Sequence, residues 1–181
     1  QSLYYVDHGE PLGLEGPRAS PVLNLKAQSI GDQDGQVLVT RVGMFAHPTG
    51  SPILPSSTVE IAYRVAFLQS LSPLDSETSG YRLVVIDRDG SNLMELFPPE
   101  GEVGLELDPP TWSPDGTQIA FTTNRHGDFD IYAQSLDGFT SPRLTQNRGR
   151  DVAPAWSPDG QYIAFQSDRD GNNEIYVMRS D

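Results

Sequence analysis

The residues best suited to chemistry stand in Asp168-Arg-Asp-Gly-Asn-Asn-Glu174, where oxygen-bearing side chains alternate at Asp168, Asp170 and Asn172. Alternation of this kind suits calcium, whose coordination shell is built of carboxylate, amide and backbone oxygens. The helix–loop–helix calcium loop, however, needs Gly at its sixth position and Glu at its twelfth, and here Gly171 is fourth. The same residues also make a hairpin turn, in which Asp and Asn bond their own backbone and Gly takes positive φ. A sister turn, Asn124-Arg-His-Gly-Asp128, is too poor in oxygen ligands for calcium. The turn reading is therefore preferred, and no metal or other cofactor is expected.

Catalysis finds no better footing. His8, His47 and His126 lie in separate turn-rich regions without paired-ligand spacing, and His126 fills the slot that Asp170 fills in the sister turn. There is no Gly-x-Ser-x-Gly nucleophile elbow and no phosphate-cradling glycine loop. The chain has no cysteine, which removes thiolate and disulfide chemistry. Asp and Glu number 25 against 12 Lys and Arg, a net charge of −13. Nucleic acid and anionic membrane surfaces call for a basic face, and Arg143, Arg148 and Arg150 in one loop are the nearest approach to one. The longest aliphatic run, Leu83–Ile86, is far short of a membrane span. The chain opens at Gln1 without a charged and apolar leader, so it is expected to be a processed or trimmed piece.

The elements that hold these turns repeat. Trp112-Ser-Pro-Asp-Gly116 returns as Trp156-Ser-Pro-Asp-Gly160, and at an offset of 44 residues 112–137 match 156–181 at 13 of 26 positions. Pro-Asp-Gly makes a tight turn, followed by alternating strands at Gln118–Thr123 and Tyr162–Ser167. Third strands are expected at Asp130–Ser135 and Glu174–Arg179, and a fourth at Pro142–Thr145. A diverged copy lies upstream in Val65-Ala-Phe67, Leu83–Asp89 and Met94–Phe97, without the Trp-Ser-Pro-Asp-Gly signature. Leu3–Val6, Pro21–Ala27 and Gln36–Val42 read as further strands. Short strands and tight turns repeating every 40 to 50 residues are the mark of β-propeller blades. Trp112 and Trp156, at one place in each repeat, read as wedges between blades, and Tyr132 and Tyr176 as structural.

The pattern Pro-x-Trp-Ser-Pro-Asp-Gly, then Ile-Ala-Phe, then Asp-Arg-Asp-Gly-Asn-x-Glu-Ile-Tyr resembles the TolB-type (WD-like) propeller repeat, strongly over 105–181 and weakly over 58–104. The resemblance implies an all-β chain, a partial β-propeller of about three four-stranded blades plus an irregular N-terminal β segment. The division expected is 1–55 for that segment, 56–104 for the diverged blade, 105–148 for a full blade and 149–181 for an incomplete one. The resemblance also implies a non-catalytic module of the bacterial periplasm or exterior that works by contact with a protein or a small ligand. The alternative is an accessory propeller of a larger secreted enzyme, acting on peptides or polysaccharides, with its catalytic domain outside this chain.

Too few blades are present to close a ring. Either the chain is part of a longer protein, or copies complete each other as a homo-oligomer, with Leu3–Val6 a candidate for the strand missing after Asp181. Binding is expected on the face that gathers Ser70–Gly80, Pro98–Pro109, Asn124–Asp128, Gln146–Asp151 and Asp168–Asn173, because loops on a rigid scaffold carry recognition. Its candidate residues are Arg125, His126, Asp168, Arg169 and Asp170, within an acidic rim that includes Asp75, Glu77, Glu100, Glu102, Glu106 and Asp108.

Overall fold

The computed structural model describes residues 2–7, 24–29, 35–40, 42, 47–52, 64–72, 80–97, 108–138 and 141–181. Among these, four antiparallel sheets stack face to face in chain order. The first joins β1 (Ser2–Asp7), β2 (Asn24–Ser29) and β3 (Gln36–Val39). The second joins β4 (Thr49–Gly50), β5 (Arg64–Ser70), β6 (Tyr81–Asp87) and β7 (Met94–Phe97). The third holds β8 (Thr111–Trp112), β9 (Gln118–Thr123) and β10 (Asp130–Ser135), and the fourth β11 (Asp151–Trp156), β12 (Tyr162–Ser167) and β13 (Glu174–Arg179).

Strand alternation decides how the sheets stack. Val65, Phe67, Val84 and Ile86 of the second sheet face back onto Leu25, Leu38, Val39 and Val42. Ala66, Leu68, Leu83 and Val85 face forward onto Trp112, Ile119, Phe121 and Tyr132 of the third. Because both faces are covered, β5 and β6 read as continuous apolar runs rather than alternating ones. The fourth sheet follows, with β11 lying against β8, β9 and β10.

Each blade opens with the same locked turn. The Ser113 N–H donates to the Gln118 carbonyl (2.9 Å), and the Gln118 N–H returns to Ser113 Oγ (3.0 Å). Ser113 Oγ also donates to Asp115 Oδ1 (2.6 Å), while Gly116 takes φ +70° to close the turn. Ser157 and Asp159 repeat the arrangement with Tyr162 and Gly160. The turns also stack, since Gly116 rests over the Pro52 ring and Gly160 over the Pro114 ring.

The structure changes three of the sequence expectations. The diverged blade keeps half of the signature: the Ser51 N–H donates to the Arg64 carbonyl and the Arg64 N–H to Ser51 Oγ, so Thr49-Gly-Ser-Pro52 stands where Thr111-Trp-Ser-Pro114 stands later. That blade thus reaches back across the expected 55/56 division, through β4 paired with β5. Residues 142–145 form a single bridge, Arg143 to Tyr132, instead of a full strand, because Pro142 has no N–H and the Ile131 N–H is taken by Thr145 Oγ1 (3.0 Å). Finally, β1 is paired with β2 along all six residues and does not fill the position beside β13.

Candidate functional site

Three loops meet at one end of the third and fourth blades. The 146–151 loop closes on both neighbouring turns: the Arg150 N–H donates to Asp168 Oδ1 (2.6 Å), and the Asp151 N–H to the Phe129 carbonyl (2.8 Å). Gly149 is buried at the junction, and a Cβ there would stand 2.7 Å from the Arg169 backbone. Only glycine lets the loop lie so close.

Beneath the loops run two carboxylate–guanidinium networks. Asp151, with its side chain fully buried, accepts Arg169 Nη2 on both oxygens (3.0 and 3.1 Å) and Asn147 Nδ2 on Oδ2 (2.5 Å). Asp130, equally buried, pairs with Arg143 at 2.5 Å and accepts from Thr145 Oγ1 (3.2 Å). Burial pushes the Asp130 carboxyl above its ordinary value, against the pull of Arg143 and Thr145. These acids are neutralised in place, which suits them to holding the loops and not to moving protons.

The sequence candidates sit on the turns above. Arg169 lies over the Tyr176 ring (4.4 Å to the centroid) and the Phe165 ring (5.2 Å), and Arg125 over the Phe97 ring (5.0 Å). His126 Nδ1 is hydrogen-bonded to the Tyr132 hydroxyl, and in the same slot one repeat later the Tyr176 hydroxyl donates to Asp170. Asp170 holds the Tyr176 hydroxyl neutral, its pKa pushed up to about 12. The structure therefore brings Asp168, Arg169 and Asp170 together with the 146–151 loop, and places Arg125 and His126 on the adjoining turn. One clamp is built twice, with imidazole exposed at one copy and carboxylate at the next.

Sequence reasoning missed Asp130, Arg143, Asn147, Gly149 and Asp151 as parts of the site. In sequence Arg143, Arg148 and Arg150 read only as a basic patch, whereas Arg143 is spent on Asp130 and Arg150 lies over the Phe129 ring (5.2 Å). Residues 73–79 and 98–107, with Asp75, Glu77, Glu100, Glu102 and Glu106, lie outside the described residues. The described loop face is mixed in charge, with Arg148 and Arg150 exposed beside Asp128, Asp168 and Asp170. Among the described residues no group of three or more His, Cys, Asp or Glu side chains is placed to hold a metal ion, and no helix is long and apolar enough to cross a membrane.

A separate cleft of about 300 Å³ opens between Thr49–Pro52 and Pro110–Pro114, with Trp112 in its wall. The Trp112 indole N–H donates to the Thr49 carbonyl (3.1 Å), tying the second blade to the third. No titratable side chain lines this cleft.

Comparison with known proteins agrees with this architecture. Residues 104–181 match the TolB beta propeller domain family. No curated protein sequence matches the chain. Among solved structures, TolB from Acinetobacter baumannii superposes with a TM-score of 0.69 at 18% identity, over 98% of this chain and 38% of that one. A protein assigned as TolB in Agrobacterium tumefaciens gives 0.59 at 24% identity, over 87% and 53%. An oligogalacturonate lyase from Vibrio parahaemolyticus gives 0.58 at 17% identity, over 99% and 48%. The chain thus spans between 38% and 53% of the length of these structures, which share its fold. Residues 104–181 carry TolB beta propeller repeats, and the chain is an all-β, partial propeller of the TolB type.

Proposed function

We propose that the chain is a non-catalytic recognition module of the bacterial cell envelope or exterior, which takes a protein partner or a small ligand on the face formed by residues 124–129, 146–151 and 168–173. The observation that supports this most is the doubled clamp. Arg169 with Tyr176, and His126 with Tyr132, fix two neighbouring turns while leaving different polar groups at their tips. A preset, mixed-charge surface loses little conformational entropy when it binds. Capture from an envelope fraction, with the native chain and with an Asp128→Ala/Arg148→Ala chain, tests the reading. A partner held by the first and lost by the second supports it, and equal capture by both contradicts it.

A second reading is favoured by the likeness to an oligogalacturonate lyase: the chain would be the propeller part of a larger enzyme. It predicts that the full gene product carries a hydrolytic or lyase activity that this chain alone lacks.

A further inference from the structure

The fourth sheet presents a face that the third sheet buries. In the third, Ala120 and Ala133 pair across the strands on the side turned to β11, as do Thr122 and Ile131. Ile131 is 0% and Ala133 1% exposed. The same repeat positions in the fourth sheet are Ile175 and Val177, paired with Gln166 and Ala164, and they are 73% and 64% exposed. Stacked repeats that end in solvent carry polar outer faces. Here the terminal face keeps Ile175 and has Val177 where the buried copy has the smaller Ala133.

What fits this face follows from the direction of stacking. Within the chain, the trailing face of each sheet receives the leading face of the next, as the third receives β11. The leading face that the chain itself leaves uncovered belongs to β2 and β3, where Val37 pairs with Lys26 opposite the Leu25 and Leu38 side and is 43% exposed. Two copies together hold twice four sheets, or eight, within the four to eight blades that propellers close with. We infer that two copies of the chain join head to tail, the β12–β13 face of each covered by the β2–β3 face of the other. The contact is apolar while each copy carries −13, so added salt screens the repulsion and strengthens the association.

Sedimentation of the 181-residue chain is expected to give twice its 19.8 kDa mass, with more dimer as salt is raised. Ile175→Glu with Val177→Lys, on side chains exposed in the single copy, is expected to keep the fold and raise the dissociation constant about 100-fold or more. Leu93→Ser, which trims an exposed apolar side chain elsewhere, leaves the dimer in place. Since the chain has no cysteine, Val37→Cys and Val177→Cys chains can be mixed and treated with a short bismaleimide. They are expected to link to each other and neither to itself. A monomer at every concentration and salt, a dimer untouched by the double substitution, or Val177→Cys chains that link to themselves overturns the proposal.

Discussion

Arg169 binds Asp151 through one guanidinium nitrogen at 3.0 and 3.1 Å, across 18 residues of chain, while the same guanidinium lies over the Tyr176 ring. One side chain thereby joins the first strand of the fourth blade to its second hairpin turn. Removing one partner of a buried pair leaves the other charge uncompensated. Arg169→Ala is expected to cost about 3 kcal/mol, and Arg169→Lys less but still measurably, because lysine lacks the planar fork. Urea unfolding of the two variants checks this.

Gly149 makes a sharper case. Its substitution by Ala drives a methyl into the Arg169 backbone and forces the 146–151 loop away from the 168–171 turn. The expected cost is about 1–3 kcal/mol, as for other overpacked sites, with faster amide exchange at Arg150, whose N–H bonds Asp168. Gly171→Ala meets no neighbouring atom, and its cost, about 1 kcal/mol or a little more, comes from φ +94° alone. Amide exchange at Arg150 separates the two, since Gly171→Ala leaves that bond intact.

The two signature tryptophans are expected to differ. Trp112 is buried and bonds the Thr49 carbonyl, so Trp112→Ala costs about 3–5 kcal/mol. Trp112→Phe, which keeps most of the ring area, loses mainly the hydrogen bond, about 1 kcal/mol. Trp156 is half-buried, and its indole N–H has no acceptor among the described residues. Trp156→Ala is therefore the milder substitution, and Trp156→Phe is close to neutral. Chemical denaturation midpoints rank the four.

Acid and alkali act on different groups. Asp159 and Asp89 are held below 3.8 first by the hydroxyls of Ser157 and Ser91. Burial opposes the charge of Asp115, but Ser113 and Thr117 outweigh it and hold that carboxyl low as well. The stability these three add is complete above 3.8 and is lost as the pH falls through their depressed values. Asp130, raised by burial, runs the other way: its contribution is largest at low pH and is lost as the pH rises through its raised value. At the alkaline end Tyr176 adds stability that is complete below 10.0 and lost as the pH rises through about 12. Asp115→Asn with Asp159→Asn should flatten the acid limb of a stability–pH curve, and Asp170→Asn should move the alkaline break toward 10.0.

Much of the fold could be read from the repeat. Gln118–Thr123, Asp130–Ser135, Tyr162–Ser167 and Glu174–Arg179 are strands over the residues expected, because Pro-Asp-Gly and the second turn bracket each one. Thr49–Gly50 escaped because two residues show no alternation, and with Gly50 in the tryptophan slot only Ser51-Pro52 remained as a trace. Ile131 and Ile175 are the same residue in the same repeat position, yet one is buried and the other exposed. Packing against another sheet decides that, and local sequence does not carry it. The candidate site was half legible for a similar reason. The turns and their tip residues repeat, whereas Asp151, Asn147 and Gly149 meet Arg169 only through tertiary contact.

The central claim is that the Trp-Ser-Pro-Asp-Gly repeats are architecture and that recognition lies in the loop face. It is tested most directly by measuring thermal unfolding and partner capture on one chain, Asp115→Ala with Asp159→Ala. The account predicts a melting temperature lowered by several degrees, as loss of two locked turns requires, with capture retained below the melt. An unchanged melting temperature with capture lost would contradict it.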